Sequence, residues 1–273
     1  MGQLHLKNIP EELWQQVENE TYSYSLAILG MKTPDRKEAP RLKGSGTLVQ
    51  LDGQEFILTA QHVIALLGKC CRFAFVLDEE AHSRTHASRV FVFHEIGIPT
   101  CPEMGPDIGL IRIPDNLRGY LHQKKSFYNL ANKEDLLDHA ALLARSDLWV
   151  ISGAVDELTV LDVSRNEYSI GHQCYGAGMP AFSEESGYDY FELTAQYNTD
   201  TVTPTSFGGV SGGGLWRLRI GEGPGGYTIA DHAKLVGVCY YQGPTEQDAT
   251  FVRGHGPKTV YGIVCKYIRD GKI

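Results

Sequence analysis

Gly208-Gly209-Val210-Ser211-Gly212-Gly213-Gly214 sets five glycines around a single hydroxyl. Without a Cβ, glycine lets the backbone turn tightly and approach another group closely. A serine held in such a turn can present its Oγ with backbone N–H groups beside it, which is what an acyl-transfer nucleophile needs. Taken alone, the heptapeptide reads equally well as a flexible loop. Its meaning depends on what precedes it in the chain.

Two upstream stretches bear on it. Gly44-Ser45-Gly46-Thr47-Leu48-Val49 leads through Asp52-Gly53 into Glu55-Phe56-Ile57-Leu58-Thr59, and the strand runs directly into Ala60-Gln61-His62. Asp-Gly between two apolar runs is a strong hairpin signal. Further on, Gly105-Pro106-Asp107 opens the apolar run Ile108-Gly109-Leu110-Ile111. An aspartate at a strand mouth is ordinarily a turn residue. A histidine beyond a strand is ordinarily unremarkable in a chain with ten of them.

Composition narrows the class. The 273 residues are 42% hydrophobic and 21% charged, so the chain can bury a sizeable core. Thirty glycines and fourteen tyrosines favour an all-β fold with many turns. The net charge is −8 and no Lys/Arg stripe appears, Lys124-Lys125 being too short to count, which argues against a nucleic-acid partner. No run approaches ~18 apolar residues, and no membrane partner is expected. Met1 to Asn8 has neither an apolar signal core nor a small-residue cleavage site, so a cytoplasmic location is expected. The six cysteines form no CxxC pair and read as reduced thiols, with neither a zinc site nor a redox motif. His82 and His86 stand four apart but lack the glutamate of a zinc-protease motif, so a metallohydrolase is a remote reading.

In chain order, Pro10 with Glu11 and Glu12 predicts a short helix over Ile9–Glu20, its apolar side made by Leu13, Trp14 and Val17. Strands are expected at Tyr22–Gly30, Phe73–Leu77 and Arg89–Phe93. From Lys124 to Asp147 the texture is polar and partly helical, with Leu136, Leu137, Ala140, Ala141, Leu143 and Ala144 at helical spacing. Strands resume at Leu148–Gly153 and continue through Leu158–Val163, Tyr190–Tyr197, Leu215–Ile220, Lys234–Tyr241 and Tyr261–Ile268. The organisation is two successive all-β halves. The expected boundaries are 1–125 for an N-terminal extension with the first half, 126–147 for a connector, and 148–273 for the second half.

Thr59-Ala60-Gln61-His62, Asp107-Ile108-Gly109-Leu110 and Gly209-Val210-Ser211-Gly212-Gly213, in that order, resemble the trypsin/chymotrypsin superfamily of serine peptidases, particularly its bacterial, intracellular members. The His-to-Asp interval, 107 − 62 = 45 positions, is similar to the family's. Gly44–Val49, Leu235-Val236-Gly237-Val238 and Val260-Tyr261 with Val264 and Tyr267 resemble flanking strands, so the likeness spans roughly 40–270. It implies two antiparallel six-stranded β-barrels with the active site in the cleft between them. It implies a triad in which Ser211 attacks, His62 takes its proton and Asp107 fixes the imidazole. The N–H groups of Gly209 and Ser211 would form the oxyanion hole. The expected function is that of a serine endopeptidase (a hydrolase) acting through an acyl-enzyme on a polypeptide substrate. It needs no metal or organic cofactor.

Some positions depart from the family. Val210 stands where activated zymogens carry an aspartate, so the oxyanion loop must be held by other means or be ordered by a regulatory protein partner. Tyr240 falls where the family often has serine. Thr205, Ser206, Tyr240, Tyr241, Gln242 and Thr259 are the expected substrate-binding residues. With no carboxylate at Thr205, a small or medium uncharged side chain is expected ahead of the scissile bond. The alternative is an inactive trypsin-like domain serving as a peptide-binding scaffold.

Overall fold

The computed structural model describes residues 9–33, 40–77, 85–87, 90–132, 136–138, 142–143, 147–162, 167–196, 204, 206–223, 226–245 and 249–273. Helix α1 (Glu11–Tyr22) follows Pro10, with Glu11 and Glu12 in its first turn, where carboxylates complement the helix dipole. It buries Leu13, Val17 and Thr21.

The chain then builds β1 (Ser25–Met31), β2 (Arg41–Leu51), β3 (Gln54–Thr59), α2 (Gln61–Gly68), β4 (Arg72–Val76), β5 (Thr85–Ala87), β6 (Val92–Gly97), β7 (Ile108–Arg112), α3 (Asp115–His122) and β8 (Tyr128–Asn129). These strands form one sheet in the order β5-β4-β1-β2-β3-β7-β6, with β8 beside β2. Only β8 pairs in parallel. The β2–β3 turn has Asp52 at φ 49° and Gly53 at φ 78°. Both central residues of a type I′ hairpin turn require positive φ, and Asp-Gly supplies that at low cost.

A second sheet takes in β9 (Leu148–Ala154) and, past a small hairpin of β10 (Val160–Asp162) and β11 (Glu167–Ser169), β12 (His172–Ala177), β13 (Ala181–Glu185), β14 (Tyr188–Gln196) and β15 (Gly214–Leu218). After the hairpin β16 (Ile220–Gly223) and β17 (Gly226–Ile229) come β18 (Lys234–Gln242) and β19 (Ala249–His255). The order is β12-β9-β15-β18-β19-β14-β13, antiparallel throughout. A π-helical turn (Thr259–Val264) runs into α4 (Cys265–Arg269).

The fold is therefore mostly β and antiparallel. The ladders differ from the expected pair of closed six-stranded barrels: they hold eight and seven strands, and neither path returns to its first strand among the described residues. In the first sheet the excess over six is β5 and β8, pieces of three and two residues, too short to leave an alternation in sequence. The expected closing strand Tyr261–Ile268 is helical instead. Val260, Tyr261, Val264, Cys265 and Ile268 are all buried, a spacing of 1, 3, 1 and 3 that belongs to one helix face. Within the connector, Leu136–Asp138 are not helical whereas Leu142 and Leu143 are, and Leu136 and Leu142 are buried.

The two sheets share a core. Trp216 on β15 is fully buried and stacks on Tyr24 at 5.2 Å, with Tyr128 edge-on at 5.5 Å. A polar seam runs beside it. Ser45 Oγ on β2 donates to Gly209 O and accepts from the N–H of Ala154 on β9, both at 2.8 Å. Ser45 N–H donates to Ser211 O at 2.7 Å, and Thr47 Oγ1 donates to Gly212 O at 3.1 Å. Gly212 sits at φ +91°, and a Cβ there would strike Ser45 O and Thr59 Oγ1, so only glycine fits. Ser45→Ala would orphan a buried N–H and a carbonyl together. It is expected to lower unfolding free energy by about 1–3 kcal/mol in urea titrations.

Candidate functional site

His62 is the second residue of α2, and its N–H is one of the donors that a helix start leaves unpaired. Asp107, at the mouth of β7, accepts that N–H on Oδ1 at 2.9 Å. Its other oxygen, Oδ2, meets His62 Nδ1 at 2.6 Å. One carboxylate thus caps the helix and grips the ring that the helix carries. Asp107 is 2% exposed and His62 37% exposed, so the pair has a buried end and an open end. With the Nδ1 proton directed at the carboxylate, the neutral ring keeps its Nε2 lone pair free to accept.

Ser211 lies in the turn clamped by β2. Its Oγ donates to Tyr240 O at 3.3 Å, and no hydrogen bond joins it to His62 among the described residues. Gly44 lies between Ser211 and the residue that follows His62: a Cβ there would meet Val63 on one side and Ser211 O on the other. Gly212 N–H donates to Cys239 O at 2.8 Å, Gly213 N–H to Val210 O at 2.6 Å, and Cys239 N–H to Gly213 O at 2.9 Å. Gly208 O accepts from Asp156 N–H at 2.8 Å. A trans peptide sets its C=O and N–H in opposite directions, so Gly209 N–H points away from Asp156. Neither Gly209 N–H nor Ser211 N–H meets an acceptor among the described residues. Val210 is 3% exposed and belongs to the shared core, so packing and hydrogen bonds hold the loop. An aspartate's ion pair has no place in this arrangement.

The expected substrate-binding residues divide. Thr205 lies outside the described residues. Ser206 is exposed; its N–H donates to Glu157 and its Oγ accepts from Gly208 N–H. Tyr240 is buried, and its backbone carbonyl faces Ser211. Tyr241 lies 6.1 Å from the Phe251 ring. Gln242 Oε1 accepts from Phe207 N–H at 2.7 Å, tying the approach to Ser211 onto β18. Thr259, expected to bind substrate, is instead fully buried: its hydroxyl accepts Asp189 N–H, and the Asp189 carboxylate accepts the N–H groups of Lys258 and Thr259 at the start of the π-helical turn. A cavity of about 240 Å³ is lined by Thr194, Pro244, Ala249, Thr250 and Phe251, none of them among the expected residues. His82 lies outside the described residues. Among those described, no cluster of three or more His, Cys, Asp or Glu could hold a metal. None of the six cysteines is joined in a disulfide.

Sequence reasoning missed His255. It is fully buried at the end of β19, and its Nε2 accepts the backbone N–H of Asp107 at 2.9 Å. Nothing in Gly254-His255-Gly256 distinguishes it from the other histidines.

No family model matches the chain, and no curated protein matches it. Solved structures do. One is described as "Aromatic interactions drive the coupled folding and binding of the intrinsically disordered Sesbania mosaic virus VPg protein". It is 17% identical over 89% of this chain and 90% of that one, with a TM-score of 0.43. No helix among the described residues is long and apolar enough to cross a membrane.

Burial pushes His255 down from 6.5 to about 4; the Asp107 and Asp189 carboxylates pull it upward and Arg253 adds to the fall. The sign follows from proton counting. Between about pH 6.5 and 4 the unfolded chain binds a proton here that the folded chain does not, so stability falls as pH falls through that window. Between pH 7 and 4.5 the loss attributable to His255 is about 2 kcal/mol. Urea titrations at the two pH values should show wild type losing about that much more than His255→Gln.

Proposed function

We propose that the chain is a serine endopeptidase of the trypsin/chymotrypsin type, its two sheets standing as opened versions of that family's two barrels. The first unit would cover 1–125, the second 148–273, with 126–147 between them. Ser211 attacks the carbonyl carbon of a peptide bond while its proton passes to His62 Nε2. The tetrahedral intermediate collapses to an acyl-enzyme as the imidazolium gives that proton to the leaving amine. Water, activated by the same ring, releases the acyl group. Asp107 keeps the ring oriented and stabilises its charged form. The Gly209 and Ser211 N–H groups receive the negative oxygen.

The observation that carries this reading is the His62–Asp107 pair. A carboxylate 2% exposed spends both oxygens on one histidine, and that ring's far side is open. A surface histidine with a structural role has no need of a buried partner gripping it twice. The two N–H groups without acceptors beside Ser211 support it. A scaffold role, in a domain that holds a peptide without cutting it, is favoured by a different observation: Ser211 Oγ rests on Tyr240 O. In either case the partner is a polypeptide. The loop's internal bonding favours a site assembled without an activator, leaving a regulatory partner to act on access.

Fluorophosphonate labelling read by intact mass separates the two readings. One adduct on wild type is expected, none on Ser211→Ala, and labelling at least about a hundredfold slower on His62→Ala. An unlabelled wild type that still binds peptide would leave the scaffold standing.

A further inference from the structure

Asp107 belongs to the first sheet's side of the molecule, yet its backbone N–H is met from the second. His255 Nε2 on β19 accepts its N–H at 2.9 Å. The His255 ring lies 5.1 Å from Tyr190 and 5.0 Å from Tyr240, on β14 and β18. Gly105, two residues before Asp107, sits at φ +66°. A Cβ there would press on the Tyr190 ring at 2.9 Å and the Tyr240 hydroxyl at 3.1 Å. On the second sheet's side, residues 105–107 therefore meet the rings of Tyr190 and Tyr240 and a polar anchor in His255.

We propose that His255 is a positioning residue: it fixes the backbone of Asp107 so that the carboxylate meets His62 squarely, and makes the His62–Asp107 pair conditional on the docking of the two sheets. This deepens the peptidase reading and rests on it for its catalytic consequence. The argument is geometric. Asp107 is gripped at three atoms: Oδ1 and Oδ2 by His62, and N by His255. Without the third grip its N–H would be a buried donor with no acceptor, and the loop would shift to find one. A displacement of about 1 Å at a catalytic pair can cost about a hundredfold in rate. The contact needs a lone pair on Nε2, and burial keeps the ring neutral.

The test uses the full chain with His255→Leu and His255→Gln. Leucine removes the acceptor; glutamine restores one, since its Oε1 can occupy the place of Nε2. Two readouts are taken: the pKa of His62 by histidine-labelled NMR, and the rate of fluorophosphonate labelling. The leucine variant should lower the His62 pKa by about half a unit or more, as the imidazolium loses its aligned carboxylate. It should label at least about tenfold more slowly. The glutamine variant should lie within about threefold of wild type. If leucine does not fold, His255→Met keeps the bulk without a nitrogen acceptor. Variants that leave the His62 pKa unchanged overturn the proposal. So do leucine and glutamine variants that lose equally, because the histidine would then act by packing alone. The NMR arm requires no nucleophile: an unlabelled wild type would sink the peptidase reading while the His62 shift still decides the role of His255.

Discussion

Ser45 holds the molecule in register. Its hydroxyl sits between two strands of different sheets and serves both, taking the N–H of Ala154 and giving its proton to Gly209 O. Its backbone N–H binds Ser211 O, and its own carbonyl accepts Thr59 Oγ1 at 2.8 Å. A side chain fully buried with every polar atom satisfied is worth keeping, since orphaned buried polar groups cost more than the bonds gain. The glycine turn can lie against β2 only because Gly212 has no Cβ. The conformation of 208–213 is thus a consequence of how the two sheets meet.

The same logic governs the charged pair. A buried carboxylate is expensive unless its oxygens are bonded. Asp107 meets that demand with the first turn of α2, where unpaired N–H groups and the helix dipole already favour an anion. His62 supplies both the helix N–H and the ring, so capping the helix and orienting the imidazole are one event. The second sheet then closes the remaining backbone donor through a histidine kept neutral. A charged histidine at that place would offer Asp107 N–H no acceptor. Burial, which lowers its proton affinity, makes the contact hold at neutral pH.

Much of this was legible from residues with local signatures. Asp52-Gly53 announced the hairpin because few dipeptides meet two positive φ values so cheaply. The motifs around His62 and Asp107 announced that these two side chains would meet. Other parts were hidden for physical reasons. Helix α2 has no polar cap at Ala60, because its cap comes from Asp107, 47 residues on (107 − 60 = 47). Tyr261–Ile268 mimics a strand in composition, and only the spacing of its buried residues gives the helix away. Thr259, just ahead of that segment and expected to bind substrate, has its side chain spent on Asp189. The N-terminal helix was visible as a helix, but its task was not. Glu20 accepts from Ala233 N–H at 2.6 Å, and Tyr22 O accepts from Lys125 Nζ at 2.8 Å. These are tertiary contacts with no local signal.

The resting direction of Ser211 Oγ weighs little in choosing between cutting and holding a peptide. Its contact with Tyr240 O is 3.3 Å, beyond the usual 2.5–3.0 Å of a hydroxyl hydrogen bond. Such a bond is worth about 1 kcal/mol at most, and the serine χ1 has three staggered wells. A rotamer disfavoured by that amount is still occupied about a tenth of the time or more, and a barrier to enzymatic amide cleavage dwarfs the difference. What cannot be improvised at the moment of reaction is the fixed part. That part is a ring held at one nitrogen by a buried carboxylate and, in the glycine turn, two backbone N–H groups with no acceptor among the described residues. The bonds of Asp107 and Ser45 fix that frame, while the Ser211 hydroxyl keeps its χ1 rotation, the motion that the proposed attack would use.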